Sequence, residues 1–118
     1  MHTLTLFKNS KEYEMVPAGR HIFDEGQHGD LMYVVIEGEA EIRVRDRTVD
    51  TVGPGGILGE MALIDEKPRS ATAIAKVDCK LVPIDQRRFT FLVQETPFFS
   101  LHVMKVMADR LRQMNAQI

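Results

Sequence analysis

The chain holds 118 residues, of which 44% are hydrophobic and 27% charged, the length and make-up of one compact domain with one core. Its 17 acidic and 15 basic side chains leave a formal net charge of −2, whereas domains devoted to nucleic acid carry a basic surplus. No apolar run approaches the roughly 20 residues that cross a bilayer. The first ten residues lack a signal-peptide core, and the single Cys79 has no second cysteine to pair with, so a cytoplasmic, reducing location is expected.

The chain opens on strand-like residues, and the β-rich part of a single 1–118 domain is placed at about 4–85. Turn clusters at Pro17-Ala18-Gly19, Glu25-Gly26, His28-Gly29-Asp30, Glu37-Gly38-Glu39 and Gly53-Pro54-Gly55-Gly56 recur about every 8–12 residues, the rhythm of a β-sandwich or barrel. Between and beyond them, residues 31–37, 40–45, 48–52, 71–75 and 80–84 read as short strands. Residues 40–45 alternate, with Ile42 and Val44 on one face and Glu41, Arg43 and Arg45 on the other. Pro83 places its strand at a sheet edge. The prediction for this region is an antiparallel roll of about eight strands.

After Asp85 the period becomes helical. Asp85 is the N-cap expected for a helix over 86–94, and Thr96-Pro97 supplies the N-cap and first position of a longer helix to about Met114. Phe99, Val103, Val106, Leu111 and Met114 form an apolar stripe on it, broadened by Met104 and Met107, that packs on the roll. Asp109, Arg110 and Arg112 are expected to face elsewhere. A second face of so long a helix is compatible with a coiled-coil-like dimer seam.

One stretch, from Gly59 to Ala71 (GEMALIDEKPRSA), carries chemistry. A glycine-rich turn enters a short helical turn that starts with an acid, and a Pro-Arg pair leads on into a strand. The first N–H groups of a helical turn have no intrahelical partner and suit a phosphate. A nearby arginine adds a planar fork of donors. The small residues Gly59, Ala62, Ser70 and Ala71 leave room for a ligand at the backbone. An acid beside a phosphate is useful only if it holds another part of the ligand, such as a sugar hydroxyl. Taken singly, Arg69 would pass for a surface ion-pair residue and Glu60 for a dipole-favoured acid. The histidines His2, His21, His28 and His102 show no metal-ligand spacing, so no metal is expected. Cys79 has no evident base partner and reads as a small filler.

This stretch resembles the phosphate-binding cassette of the cyclic nucleotide-binding domain family, of roughly the pattern F-G-E-x-A-L-x-x-x-x-P-R-x-A. Every defined position matches except the leading aromatic, which is Leu58. Such a match arises by chance about once in 10⁸ starts. The run from Pro17 to Val44 is similar to the family's first strands, and residues 87–114 to the closing helices of its catabolite-activator type. The resemblance implies a mainly β, jelly-roll (double-stranded β-helix) barrel with a short cassette helix and two C-terminal helices at about 86–116. It implies that Glu60, helped by Gly59, accepts the ribose 2′-hydroxyl, and that Arg69 and Ser70 hold the cyclic phosphate. Leu58 and Ala71 flank that site, Ile36, Val49 and Met61 line the sugar and purine pocket, and the last helix closes as a lid with Met114 and Asn115 nearest the base.

The implied protein is a binding module and not an enzyme. Its ligand is a cyclic nucleotide, cAMP in preference to cGMP because serine rather than threonine follows Arg69, with no other cofactor. A protein partner or homodimer through the last helix is expected, with no direct contact to nucleic acid or membrane. Other readings are a scaffold of the same fold that has lost its ligand, and the sensory and dimerisation half of a transcription regulator. Gly56 stands where the family often has an acid, and helices that often precede the barrel are expected to be short or missing. The match ends without an output region, as in a stand-alone sensor or a piece of a larger protein.

Overall fold

A computed structural model describes residues 2–116. Two four-stranded antiparallel sheets lie face to face. The first has the order β1-β8-β3-β6, from β1 (Glu14–Val16), β8 (Cys79–Asp85), β3 (Leu31–Glu37) and β6 (Ile57–Leu58). The second runs β2-β7-β4-β5, from β2 (His21–Phe23), β7 (Thr72–Ala75), β4 (Ala40–Val44) and β5 (Arg47–Val52). The fold class is the expected jelly roll, although the sheets remain two separate layers rather than a closed barrel. Four helices accompany the strands among the described residues: α1 (His2–Phe7), α2 (Met61–Asp65), α3 (Gln86–Glu95) and α4 (Pro97–Ala116). None is long and apolar enough to cross a membrane.

The first sheet is covered on both faces, and β3 shows why. Its alternate residues Tyr33 and Val35 join Phe23, Ile42, Val52, Leu58, Ala73 and Leu81 between the sheets. Met32, Val34 and Ile36 instead join Phe7, Ile57, Val82, Ile84, Phe89, Phe99 and Val103 beneath the helices. Alternation along a strand sends successive side chains to opposite faces, so a strand apolar at every position is one with a core on each side. In β4, Glu41 and Arg43 pair outward at 2.8 Å while Ala40 and Ile42 are buried, close to the predicted alternation.

Three expectations are corrected. The opening residues form α1 rather than a strand, and the strands begin at Glu14, not near residue 4. Thr3 and Phe7, one helical turn apart, are both buried, and Phe7 meets Phe99 edge-on at 6.2 Å between ring centroids. Pro83 lies in an inner strand rather than at a sheet edge. It pairs with Tyr33 of β3, but β1 ends at Glu14 opposite Leu81, so no strand runs past Pro83 on its other side. Finally, only the first half of the α4 stripe packs as predicted. Phe99 and Val103 are buried and Val106 and Met107 lean on them, whereas Leu111 and Met114 stand exposed.

The predicted helix starts at Gln86 and Pro97 are borne out. The Asp85 carboxylate accepts the Arg88 N–H at 2.8 Å, and the Thr96 carbonyl accepts from Phe99 at 3.0 Å. Thr3 Oγ1 lies 2.6 Å from His102 Nδ1, tying α1 to α4.

Candidate functional site

The cassette is shaped by where its backbone turns. β6 delivers Leu58 into the space between the sheets, and Gly59 then takes a φ of +75°, the left-handed region that a side chain would strain. Ala62 and Leu63 bury themselves and anchor the five-residue α2, which ends with Glu66 at φ 58°. Pro68 and Arg69 follow, and β7 starts at Thr72. The result turns two charged side chains inward. Glu60 is 1% exposed and Arg69 is 7% exposed, and with Thr3 they are the buried polar residues among those described.

Arg69 is held without a carboxylate. Its Nη1 donates to the Gly59 carbonyl at 3.2 Å and its Nη2 to the Leu31 carbonyl at 2.8 Å. Its guanidinium carbon sits 4.1 Å above the centre of the Phe23 ring, and its buried Nε has no hydrogen-bond partner among the described residues. Burial holds the guanidinium below its ordinary pKa, partly opposed by Tyr33, Asp30 and Glu60. It remains a cation, because arginine does not deprotonate in proteins.

Glu60 has a different environment. Arg110 of α4 donates through Nη1 to Glu60 Oε1 and through Nη2 to the Ile57 carbonyl at 3.2 Å. Its Nε is 4.0 Å from Asp50 Oδ2. Burial pushes the Glu60 carboxyl above its usual range, with Arg110 pulling the other way. Arg110, expected to face away, is therefore a polar link between α4 and the cassette. Beside it, α4 and the loop after β5 enclose a cleft of about 440 Å³, lined by residues that include Asp50, Gly53, Val106, Arg110 and Gln113.

The remaining predicted residues separate into near and far. Arg69 bonds the Gly59 carbonyl and lies near enough to Glu60 for their charges to interact, while Leu58 packs between the sheets. Ser70 is exposed and its hydroxyl points to the Met61 sulfur at 3.8 Å, and Ala71 packs at the margin of the inter-sheet core. Val49 lies half-exposed on β5. Ile36 is placed under the helices rather than between the sheets. Met114 and Asn115 are exposed, and α4 presents Arg110 and Gln113 to the cleft instead. No group of three or more metal-ligating side chains is found among the described residues.

The cassette thus sets a buried acid and a buried arginine on one turn-helix-turn, inside a two-layered jelly roll. Residues 13–96 match the model of the cyclic nucleotide-binding domain family, and the chain belongs to that family. It is 41% identical over 85 residues to a cAMP-dependent protein kinase regulatory subunit of Eremothecium gossypii, a match covering 72% of this chain and 19% of that protein. It is 30% identical over 109 residues to a cyclic AMP receptor protein of Thermus thermophilus, covering 88% of this chain and 50% of that one. The crystal structure of the Thermus thermophilus catabolite activator protein superposes with a TM-score of 0.81 at 29% identity, over 98% of this chain and 57% of that one. The chain thus spans half or less of the curated relatives it matches.

Proposed function

We propose that the chain is a non-catalytic sensor of a 3′,5′-cyclic nucleotide, cAMP before cGMP, with the cyclic phosphate on Arg69 and the ribose 2′-hydroxyl on Glu60. The observation that carries this reading is Arg69 itself: a buried cation that forms no ion pair among the described residues and whose Nε has no hydrogen-bond partner there. Taking a charge out of water costs several kcal/mol unless something repays it, and a diester anion would do so. A scaffold that had lost its ligand would be expected to tie this arginine into an ion pair, and here the tied arginine is Arg110. The names of the relatives from Eremothecium and Thermus favour the adenine nucleotide. A carboxylate already engaged by a guanidinium and a fixed arginine suit holding a diester, not cleaving it.

Signalling follows from Arg110. A ribose hydroxyl donating to Glu60 must share that carboxylate with Arg110 or displace it, so ligand occupancy acts on α4. To move a 1:99 balance of α4 positions to 99:1 the ligand must favour one by about 5.5 kcal/mol. The outward residues Leu101, Met104 and Leu111 are exposed, a face suited to a second copy or another protein that reads the position of α4.

Calorimetric titration of the refolded, ligand-stripped chain with cAMP and cGMP tests the reading. Saturable binding at micromolar affinity or better is expected, and absence of heat from the folded protein with both would overturn it. Arg69→Ala should weaken cAMP roughly ten- to a hundredfold, the scale of charge-assisted hydrogen bonds. Unchanged affinity would put the phosphate elsewhere. Glu60→Gln should weaken cAMP more than its 2′-deoxy analogue, and equal losses would remove Glu60 from the ribose.

A further inference from the structure

We infer that Gly29, in the loop between β2 and β3, is a positioning residue that shapes Arg69 for its anion; this rests on the reading of Arg69 as the phosphate-holding group. The loop grips Arg69 twice. Its main chain is bracketed by two hydrogen bonds, Arg69 N–H to the Gln27 carbonyl at 2.8 Å and Gly26 N–H to the Arg69 carbonyl at 2.8 Å. The side chain then passes directly over Gly29. A Cβ at that position would lie 2.2 Å from Arg69 Nε, 2.4 Å from its Cζ and 2.6 Å from its Nη2. A Cβ at Gly59 would likewise lie 2.5 Å from Nη1. The guanidinium therefore packs closely on two bare backbone positions, with Phe23 against its face.

Gly29 differs from its neighbour in a way that isolates this role. Gly26 has a φ of +84° and open space where a Cβ would go, so its glycine serves the backbone. Gly29 lies outside the left-handed range, so alanine meets no left-handed strain there. What alanine does meet is Arg69. Shifting the guanidinium to make room disturbs the bonds to the Gly59 and Leu31 carbonyls that aim it. Gly29 thus acts on the ligand only through Arg69.

The test is a double-mutant cycle of Gly29→Ala and Arg69→Ala in the whole chain, read by cAMP titration and by thermal unfolding without ligand. Gly29→Ala alone should weaken cAMP about tenfold or more and lower the melting temperature. In the Arg69→Ala background, where the guanidinium is gone, the same change should alter neither quantity. Equal losses in both backgrounds would overturn the inference, since Gly29 would then serve the loop and not the arginine. If Gly29→Ala does not fold, recovery of folding in the double variant supports the inference and its absence overturns it. If the parent chain binds no cyclic nucleotide, the proposed function fails, while coupling of the two substitutions in ligand-free unfolding still decides whether Gly29 positions Arg69.

Discussion

Glu60 is a carboxylate taken out of water and answered by one guanidinium, that of Arg110. Burial, the larger influence, raises its pKa above the unfolded value, so its ionised form works against folding. A group shifted in this direction contributes stability below its unfolded pKa and loses it as pH rises through the folded one. Ligand-free Glu60→Gln should therefore match the parent near pH ~4 and gain on it in thermal stability toward pH ~8. A parent that gains on the variant instead would mean that Arg110 outweighs burial. Burial also raises the Cys79 thiol, whose sulfur donates to the Glu39 carbonyl at 3.2 Å, and slow reaction with thiol reagents in the folded chain is expected. At this scale the sequence shows Glu60 and Arg69 because both belong to one contiguous motif. It does not show Arg110 or Gly29, which lie far from the motif in the chain and look respectively like a helix-surface charge and a turn glycine. Only the fold brings them to Glu60 and Arg69.

Elements were legible where a local rule dominates and obscure where a neighbour decides. The start of α3 is a capping event, and Asp85→Ala should cost about 1 kcal/mol in chemical denaturation, with ligand binding little changed. No loss would mean that the packing of Phe89 and Leu92 alone sets the helix start. The hairpin between β4 and β5 turns on Arg45 and Asp46, both at positive φ, 52° and 66°. Asp46→Gly should stabilise the domain by roughly 0.5–1 kcal/mol in chemical denaturation, since glycine meets no left-handed strain. By contrast, the Thr-Leu alternation in α1 has the look of a strand, and only the burial of Thr3 and Phe7 against the helical core makes it helical. Ile36 illustrates the same limit. Every interior position of β3 is buried, so alternation cannot say which side faces the ligand.

Across the whole molecule, α4 divides its apolar residues between the core and solvent. If the outer face seats a second copy, sedimentation velocity should show concentration-dependent association that Leu111→Glu abolishes while the melting temperature barely moves. A monomer at every concentration would assign that face to a different protein. The strand order has a further consequence in time. β1 pairs with β8, Val16 opposite Cys79, and Thr3 reaches His102. The strand synthesised first must wait for the strand synthesised last, several seconds at roughly 5–20 residues per second on a ribosome. Until then β3 has only the two-residue β6 to pair with and both cores lie open, so the nascent chain carries a largely unpaired, apolar strand while the stretch from Gly38 to Asp85 is made. Its route to the folded domain is a late, near-simultaneous closure rather than a progressive one, which gives a chaperone its natural moment of engagement before β8 emerges.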